Sequence, residues 1–427
     1  MAQFHFKKTQ WIFIFCLVIV LSGMRVIAAQ AADSYYLKSG DRVVFYGDSI
    51  TEQQYYTMDV EDYTLTRFPT LKVSFVNSGW GGDRVTGGAG GPIDLRLNRD
   101  VFPYKPTVVT IMLGMNDGGY RPFEESVFHT YTTGYEHIIQ SLRDRLPGVR
   151  VTVIEPSPYD DVTRPPNFAG GYNEVLIRYG EFVADLAHRL NLTLANMNAP
   201  FVADLERARR LDPVLAQKIV PDRIHPSPGG HLWMAEALLK SWNAPAIVTA
   251  VEINAAQSRV SRAENTRVTG LKAGRSLSWT QMDNALPLPI NLKDPLVLLA
   301  LHSSDFIQVL DQETLQVGGL SGSKYALKID GEHVGDFTAG ELARGINLAT
   351  LETPMLQQAE IVHNLTHEHN RLLFDRWRDI QVPLTNERFS EISQAERALD
   401  RLEQKLIVEQ RAAAQPKPHR YELFPAR

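Results

Sequence analysis

The chain has 427 residues, 44% hydrophobic and 22% charged, a balance that fits a soluble protein with room for two domains. A formal charge of −5 and a pI near 6.2 have the wrong sign for a phosphate-binding surface, so no nucleic-acid partner is expected. With Cys16 as the single cysteine, no disulfide framework is available.

The amino terminus differs in character from the rest of the chain. Lys7 and Lys8 precede an apolar run over 11–21, and the small residues Ala28, Ala29 and Ala31 come next, which is the layout of a secretory signal. The run is short for a bilayer span, so cleavage near Ala31 is expected, with an uncleaved membrane anchor as the alternative. Removing 1–31 takes three bases and no acid, moving the charge from −5 to −8, and takes Cys16 as well. The exported chain, periplasmic or extracellular, would hold no thiol and so no cysteine nucleophile or cysteine-based metal site.

From 42 to about 242, short apolar runs alternate with longer amphipathic stretches. Strands are predicted at 42–46, 71–76, 107–113, 150–154 and 192–196, with helices at 124–145, 171–190 and 228–240. Such alternation implies a parallel sheet covered on both faces. Beyond 244 the chain turns rich in strand formers, and Asp330-Gly331 between two strand-like runs reads as a hairpin. Helices are predicted over 354–377 and 386–411, the second with Leu399, Leu402, Leu406 and Ile407 as an apolar stripe. The resulting division is 1–31 signal, 38–244 α/β domain, 245–353 β-rich extension, 354–412 helical segment and 413–427 flexible tail.

Four segments of the α/β region carry candidate chemistry. The first strand runs into Gly47-Asp48-Ser49, where Gly47 permits a sharp turn and Ser49 is exposed at the carboxyl end of the sheet. After the second strand comes Asn77-Ser-Gly79-Trp80-Gly81-Gly82, whose glycines would let a reacting carbonyl approach a backbone N–H. Neither a phosphate loop nor a dinucleotide fingerprint is present there. After the third strand, Gly114-Met115-Asn116-Asp117 offers an asparagine amide, which alone is most often a turn former. Finally, Asp222-Arg223-Ile224-His225 places a carboxylate three residues before an imidazole, near enough to bind its Nδ1–H on one helical turn. In isolation this pair is more often a helix cap beside a surface histidine.

Together the four segments resemble the blocks of the SGNH, or GDSL-type, hydrolase family, in the expected order over about two hundred residues. The resemblance implies a flavodoxin-like three-layer α/β/α domain with parallel sheet, and an ester hydrolase needing no metal or cofactor. It implies Ser49 as nucleophile, His225 as general base and acid, and Asp222 as orienter of the histidine. Ser49 N–H, Gly82 N–H and the Asn116 amide would form the oxyanion hole. The ordinary α/β-hydrolase elbow is not met, since Ile50-Thr51 follows Gly47-x-Ser49. The implied chemistry is two-step acyl transfer: Ser49 attacks an ester, the alcohol leaves, and water releases the acid. Because His225 acts as base only when neutral, activity is expected to fall on the acid side.

The expected substrate is an ester, foremost an acetyl or other short acyl group on carbohydrate. A lipid or aryl esterase is the enzymatic alternative, and a non-catalytic carbohydrate-binding protein the alternative of another class. Tyr55, Tyr56, Trp80 and Tyr120 flank the blocks as candidate sugar platforms or simple packing. His363, His367 and His369 raise the question of a metal, but His-Glu-x-x-His is absent.

Overall fold

The computed structural model describes residues 35–385 and 389–426, so the expected signal segment lies outside the described residues. Five strands build the first sheet: β1 (Arg42–Gly47), β2 (Ser74–Gly79), β3 (Val108–Met112), β4 (Arg150–Ile154) and β5 (Thr193–Ala195). All pairs are parallel and the order is β2-β1-β3-β4-β5. Burial on both faces explains why Val43-Val44 and Val108-Val109 are continuous apolar runs rather than alternating ones. Helices cover the sheet: α1 (Ser49–Glu52), α2 (Tyr55–Arg67), α3 (Ile93–Asp100), α4 (Glu125–Arg145), α5 (Gly171–Leu190), α6 (Asn198–Leu211) and α7 (Pro228–Ser241). This is the α/β architecture with a parallel sheet that the sequence implies, in the flavodoxin-like order.

The first core reaches further along the chain than 244. The helices α8 (Pro295–Ser303) and α9 (Phe306–Leu310) pack beside α7, and Leu288, Val297, Ala300, Phe306 and Leu310 are buried in the same cluster as the sheet. Trp233 Nε1 donates to the Ala300 carbonyl at 3.1 Å, pinning α8 to α7. Residues 288–310 are therefore part of the α/β body, although they fall within the segment that the sequence marks as a β-rich extension.

Apart from a two-stranded pair at Gly87–Gly88 and Gly91–Pro92, the remaining strands among the described residues form two further sheets around a second core. One is four-stranded and holds β6 (Ile247–Asn254), β7 (Arg259–Glu264), β10 (Gln312–Gly318) and the short strand Ile346–Asn347, with β6 between β7 and β10 and parallel to β10. The other is built from β8 (Thr266–Ala273), β9 (Leu277–Asp283), β11 (Lys324–Ile329), β12 (Glu332–Thr338) and β13 (Pro418–Pro425), in the order β8-β9-β13-β11-β12. Asp330 (φ 53°) and Gly331 (φ 87°) turn β11 into β12, as the two left-handed positions of a tight hairpin require.

The strand β13 corrects one expectation: the sequence pattern suggests a flexible tail over 413–427, yet this segment supplies the middle strand of a five-stranded sheet. Tyr421 and Leu423 are fully buried, and Tyr421 stacks on Trp279 with centroids 5.0 Å apart. Pro418 is tolerated because it stands at the first residue of the strand.

The helical segment is bound to the α/β body through polar groups. α10 (Pro354–Phe374) continues into a π-helical turn (Asp375–Gln381), and α11 (Ser390–Ala413) packs back on α10. On α2, Asp62 accepts from His363 Nδ1 at 2.7 Å and from Thr366 Oγ1 at 2.6 Å. Its neighbour Glu61 accepts from Asn370 Nδ2 at 2.9 Å and Gln410 Nε2 at 3.0 Å. Of the predicted stripe on α11, Leu402 stays 46% exposed, and it is Gln410 that the packing buries.

Candidate active site

The ends of three adjacent strands lie side by side, since Gly47 of β1 is in register with Gly79 of β2 and Met112 of β3. Ser49, Gly82 and Asn116 follow these ends within a few residues, at the point where the strand order reverses and α/β sheets open a crevice. The one-turn helix α1 folds flat against the strand ends because Gly47 and Gly79 carry no side chain. A Cβ on Gly79 would stand 2.2 Å from Glu52 N, and one on Gly47 2.2 Å from Thr51 Oγ1. Asp48 caps the turn, its Oδ1 accepting the Ile50 N–H at 3.0 Å. Asn77 ties β2 to the same turn, donating from Nδ2 to the Thr51 carbonyl at 2.7 Å.

Ser49 Oγ lies 2.8 Å from His225 Nε2, and His225 Nδ1 lies 2.6 Å from Asp222 Oδ2. The other carboxylate oxygen, Oδ1, accepts the N–H groups of Ile224 (2.9 Å) and His225 (2.8 Å). The aspartate and histidine thus share a side-chain-closed turn ahead of α7 rather than a helical turn. Partial burial raises the Asp222 carboxyl, but the His225 N–H, the imidazole and the Ile224 N–H outweigh it and hold the group below its ordinary value. A carboxylate that stays ionised fixes the imidazole with its proton on Nδ1 and leaves Nε2 to accept from Ser49.

The donors around Ser49 have distinct supports. Gly82 is exposed and sits at φ +76°, a conformation that glycine adopts without strain. Among the described residues, the N–H groups of Ser49 and Gly82 donate no hydrogen bond within the protein. Asn116 is buried, its Oδ1 accepting from the Tyr120 hydroxyl at 2.8 Å and its Nδ2 donating to the Asp83 carbonyl at 3.1 Å. The second Nδ2 hydrogen has only a long contact, 3.4 Å to Asp48 Oδ2. Burial, helped by Asp117 and Asp83, raises Asp48 to about 7 against the pull of the Ile50 N–H.

Of the candidate sugar platforms, Tyr56 is buried with its hydroxyl 2.9 Å from Thr51 Oγ1. Trp80 is taken up by cations: the Arg378 guanidinium lies 3.5 Å from its ring centre, and those of Arg96 and Arg99 each 5.0 Å. Tyr55 (42%) and Tyr120 (40%) keep exposed rings. The three histidines do not converge on a metal: His363 serves Asp62, and His369 lies 3.4 Å from Glu61 and 3.6 Å from Glu403.

Several groups near the site escaped sequence reasoning. His231 is buried behind the serine turn, its Nδ1 accepting the Tyr56 N–H at 3.3 Å and its Nε2 facing Gln53 Oε1 at 3.1 Å. Burial first, and then the nearby His225, push it down to about 3, so it stays neutral. Its place one face along α7 from the Asp222 turn was the only available signal. Glu52, Arg96, Trp377 and Arg378 gave none, because their meeting depends on the far carboxyl-terminal segment.

Comparison with known proteins finds relatives for this α/β fold. Residues 45–233 match the GDSL-like Lipase/Acylhydrolase family. The α/β domain belongs to that family, and the protein is a carboxylic ester hydrolase by class. An acetylxylan esterase of Geobacillus stearothermophilus is 27% identical over 221 residues, which are 47% of this chain and 94% of the relative. Among solved structures, a gut microbial diltiazem-metabolizing enzyme shares 26% identity and a TM-score of 0.80, covering 92% of this chain and 99% of that one. That likeness takes in the carboxyl-terminal sheets and helices as well as the α/β body.

Proposed function

We propose that Ser49, His225 and Asp222 act as a catalytic triad in an exported enzyme that removes acetyl or other short acyl groups from carbohydrate. The observation that carries the reading is the unbroken chain from Ser49 Oγ to His225 Nε2 (2.8 Å) and from Nδ1 to Asp222 Oδ2 (2.6 Å). His225 takes the Ser49 proton as Oγ attacks the ester carbonyl, and returns it to the departing alcohol. Water, deprotonated by the same imidazole, then attacks the acyl-enzyme, and the proton passes back to Ser49 as the acid leaves. Through both steps the oxyanion is met by the unspent N–H groups of Ser49 and Gly82 and by the loosely held second hydrogen of Asn116 Nδ2.

The openness of the site favours a bulky alcohol part over a long acyl chain. The His225 side chain is 33% exposed, that of Asp222 52%, and Gly82 faces solvent, so a polymer can lie across the triad. The acetylxylan esterase likeness supports acetylated carbohydrate in particular. A test is acetate release from acetylated xylan measured beside fatty-acid release from long-chain esters, with diltiazem as a further probe. Acetate release lost in Ser49→Ala supports the reading. Preference for long-chain esters would move the assignment to a lipase, and binding of glycan without turnover to a non-catalytic binding protein.

A further inference from the structure

The loop that carries Gly82 is held from the carboxyl-terminal side of the molecule. Arg378, on the π-helical turn Asp375–Gln381, lies 3.5 Å over Trp80 and pairs with Glu52 Oε1. The second oxygen of that carboxylate, Oε2, accepts the Gly81 N–H at 2.9 Å. One residue earlier, Trp377 is buried; its Nε1 donates to Asp100 Oδ1 at 2.6 Å, and its ring meets Trp80 edge-on with centroids 5.5 Å apart. Asp100 also pairs with the fully buried Arg96, whose Nε donates to Asp83 Oδ2 at 2.7 Å. The residues on either side of Gly82 are thus each fastened to the same turn.

We propose that the turn Asp375–Gln381 positions the oxyanion site: Arg378 acting through Glu52, and Trp377 through Asp100 and Arg96, set the path of Gly81, Gly82 and Asp83. The proposal rests on the ester-hydrolase reading of Ser49. Two consecutive glycines have no side chain to anchor them and lose the most conformational freedom on ordering, so precision at Gly82 has to come from neighbours. Precision is what an oxyanion donor needs, since its effect depends on a distance fixed before the reaction begins. The Asp83 carbonyl that accepts from Asn116 is set by the same anchors, so two of the three donors respond to one turn. Attachment of the helical segment does not depend on Arg378, because Glu61 and Asp62 already bind α10 and α11 to α2. The ion pair with Glu52 is therefore directed at the loop. Arg378 and Trp377 are positioning residues, and single π-helical turns are frequent at functional sites.

The test compares Arg378→Met, Glu52→Gln, the double variant and Arg378→Lys with the full-length protein. Arg378→Met keeps an apolar stem over Trp80 and removes the charge facing Glu52. Hydrolysis of p-nitrophenyl acetate should show kcat reduced about tenfold with KM within about twofold, as loss of donor placement rather than of binding predicts. The double variant should be no slower than the slower single variant, and Arg378→Lys should recover most of kcat. Independently of activity, amide hydrogen exchange of a peptide spanning 78–84 should accelerate in Arg378→Met while peptides from α4 stay unchanged. Unaltered exchange in 78–84, or a rise in KM with kcat intact, overturns the proposal. If Arg378→Met does not fold, Glu52→Gln carries both readouts. A Ser49→Ala control that still turns over ester defeats the enzymatic reading, and the exchange result still decides the clamp.

Discussion

Asn116 offers a calculation that the geometry makes specific. Its amide is buried, its oxygen is taken by the Tyr120 hydroxyl at 2.8 Å, and one amide hydrogen is spent on the Asp83 carbonyl at 3.1 Å. The amide is therefore held against turning over, the remaining hydrogen has only a 3.4 Å contact to Asp48, and on the proposed reading it is the one that an oxyanion takes. Removing a preorganised donor of this kind costs about 2.7–4 kcal/mol of transition-state stabilisation, or roughly 10²–10³ in kcat. Asn116→Ala should show that loss with KM little changed. Tyr120→Phe removes only the bond that fixes the amide's orientation, about 0.5–1.5 kcal/mol, so its kcat should fall by roughly 2- to 13-fold. Initial rates with p-nitrophenyl acetate over a range of concentrations separate kcat from KM for both variants. Folded Asn116→Ala with wild-type kcat would refute the reasoning.

Gly79→Ala forces a Cβ to within 2.2 Å of the Glu52 backbone nitrogen, so it should destabilise by about 1–3 kcal/mol or more and lower the melting temperature by several degrees. Tyr421→Ala, in the middle strand of its sheet and fully buried, should cost about 3–5 kcal/mol, read by chemical denaturation; a change under about 1 kcal/mol would mean that β13 is not packed as described. His363 is raised from 6.5 to about 9, first by its hydrogen bond to Asp62 and, against some burial, by the charges of Asp62, Asp59 and Glu360. A group raised in the folded state contributes fully below about 6.5 and loses its contribution as pH rises through about 9. Wild-type melting temperature should therefore decline between those pH values more steeply than that of His363→Gln, and parallel profiles would contradict the pairing.

How much of the molecule is readable in the chain depends on the distance over which each feature is determined. The parallel sheet is legible because strands such as β1, β3 and β4 are short apolar runs and the later ones are separated by helices of clear period, as with Thr107 to Leu113 followed by Glu124 to Arg145. The strand β2 is less so, since its polar Asn77-Ser78 end moves it to Ser74–Gly79 from the expected 71–76. The four loops are legible because their residues sit within a few positions of strand ends that the sequence already marks. The tail is not, since Pro416, Lys417 and Pro418 advertise a frayed end, and only strands β9 and β11, far back in the chain, give Tyr421 and Leu423 something to pack against. Trp80 illustrates the same limit: an aromatic beside a glycine loop looks like a platform until Arg378 and Trp377 arrive from the far end of the chain to cover it. Likewise 288–310 contains ordinary apolar helices whose assignment to the first core is decided by contact with α7, not by pattern.

The proposed chemistry makes one hydroxyl unusually nucleophilic, and covalent labelling reads that property directly. Treatment of the full-length protein with a fluorophosphonate, followed by peptide mass spectrometry, should place a single adduct on Ser49 and none in Ser49→Ala. Loss of ester hydrolysis should keep pace with labelling. An adduct on another residue with ester hydrolysis unaffected, or no adduct on Ser49 in a protein that still turns over ester, would contradict the account.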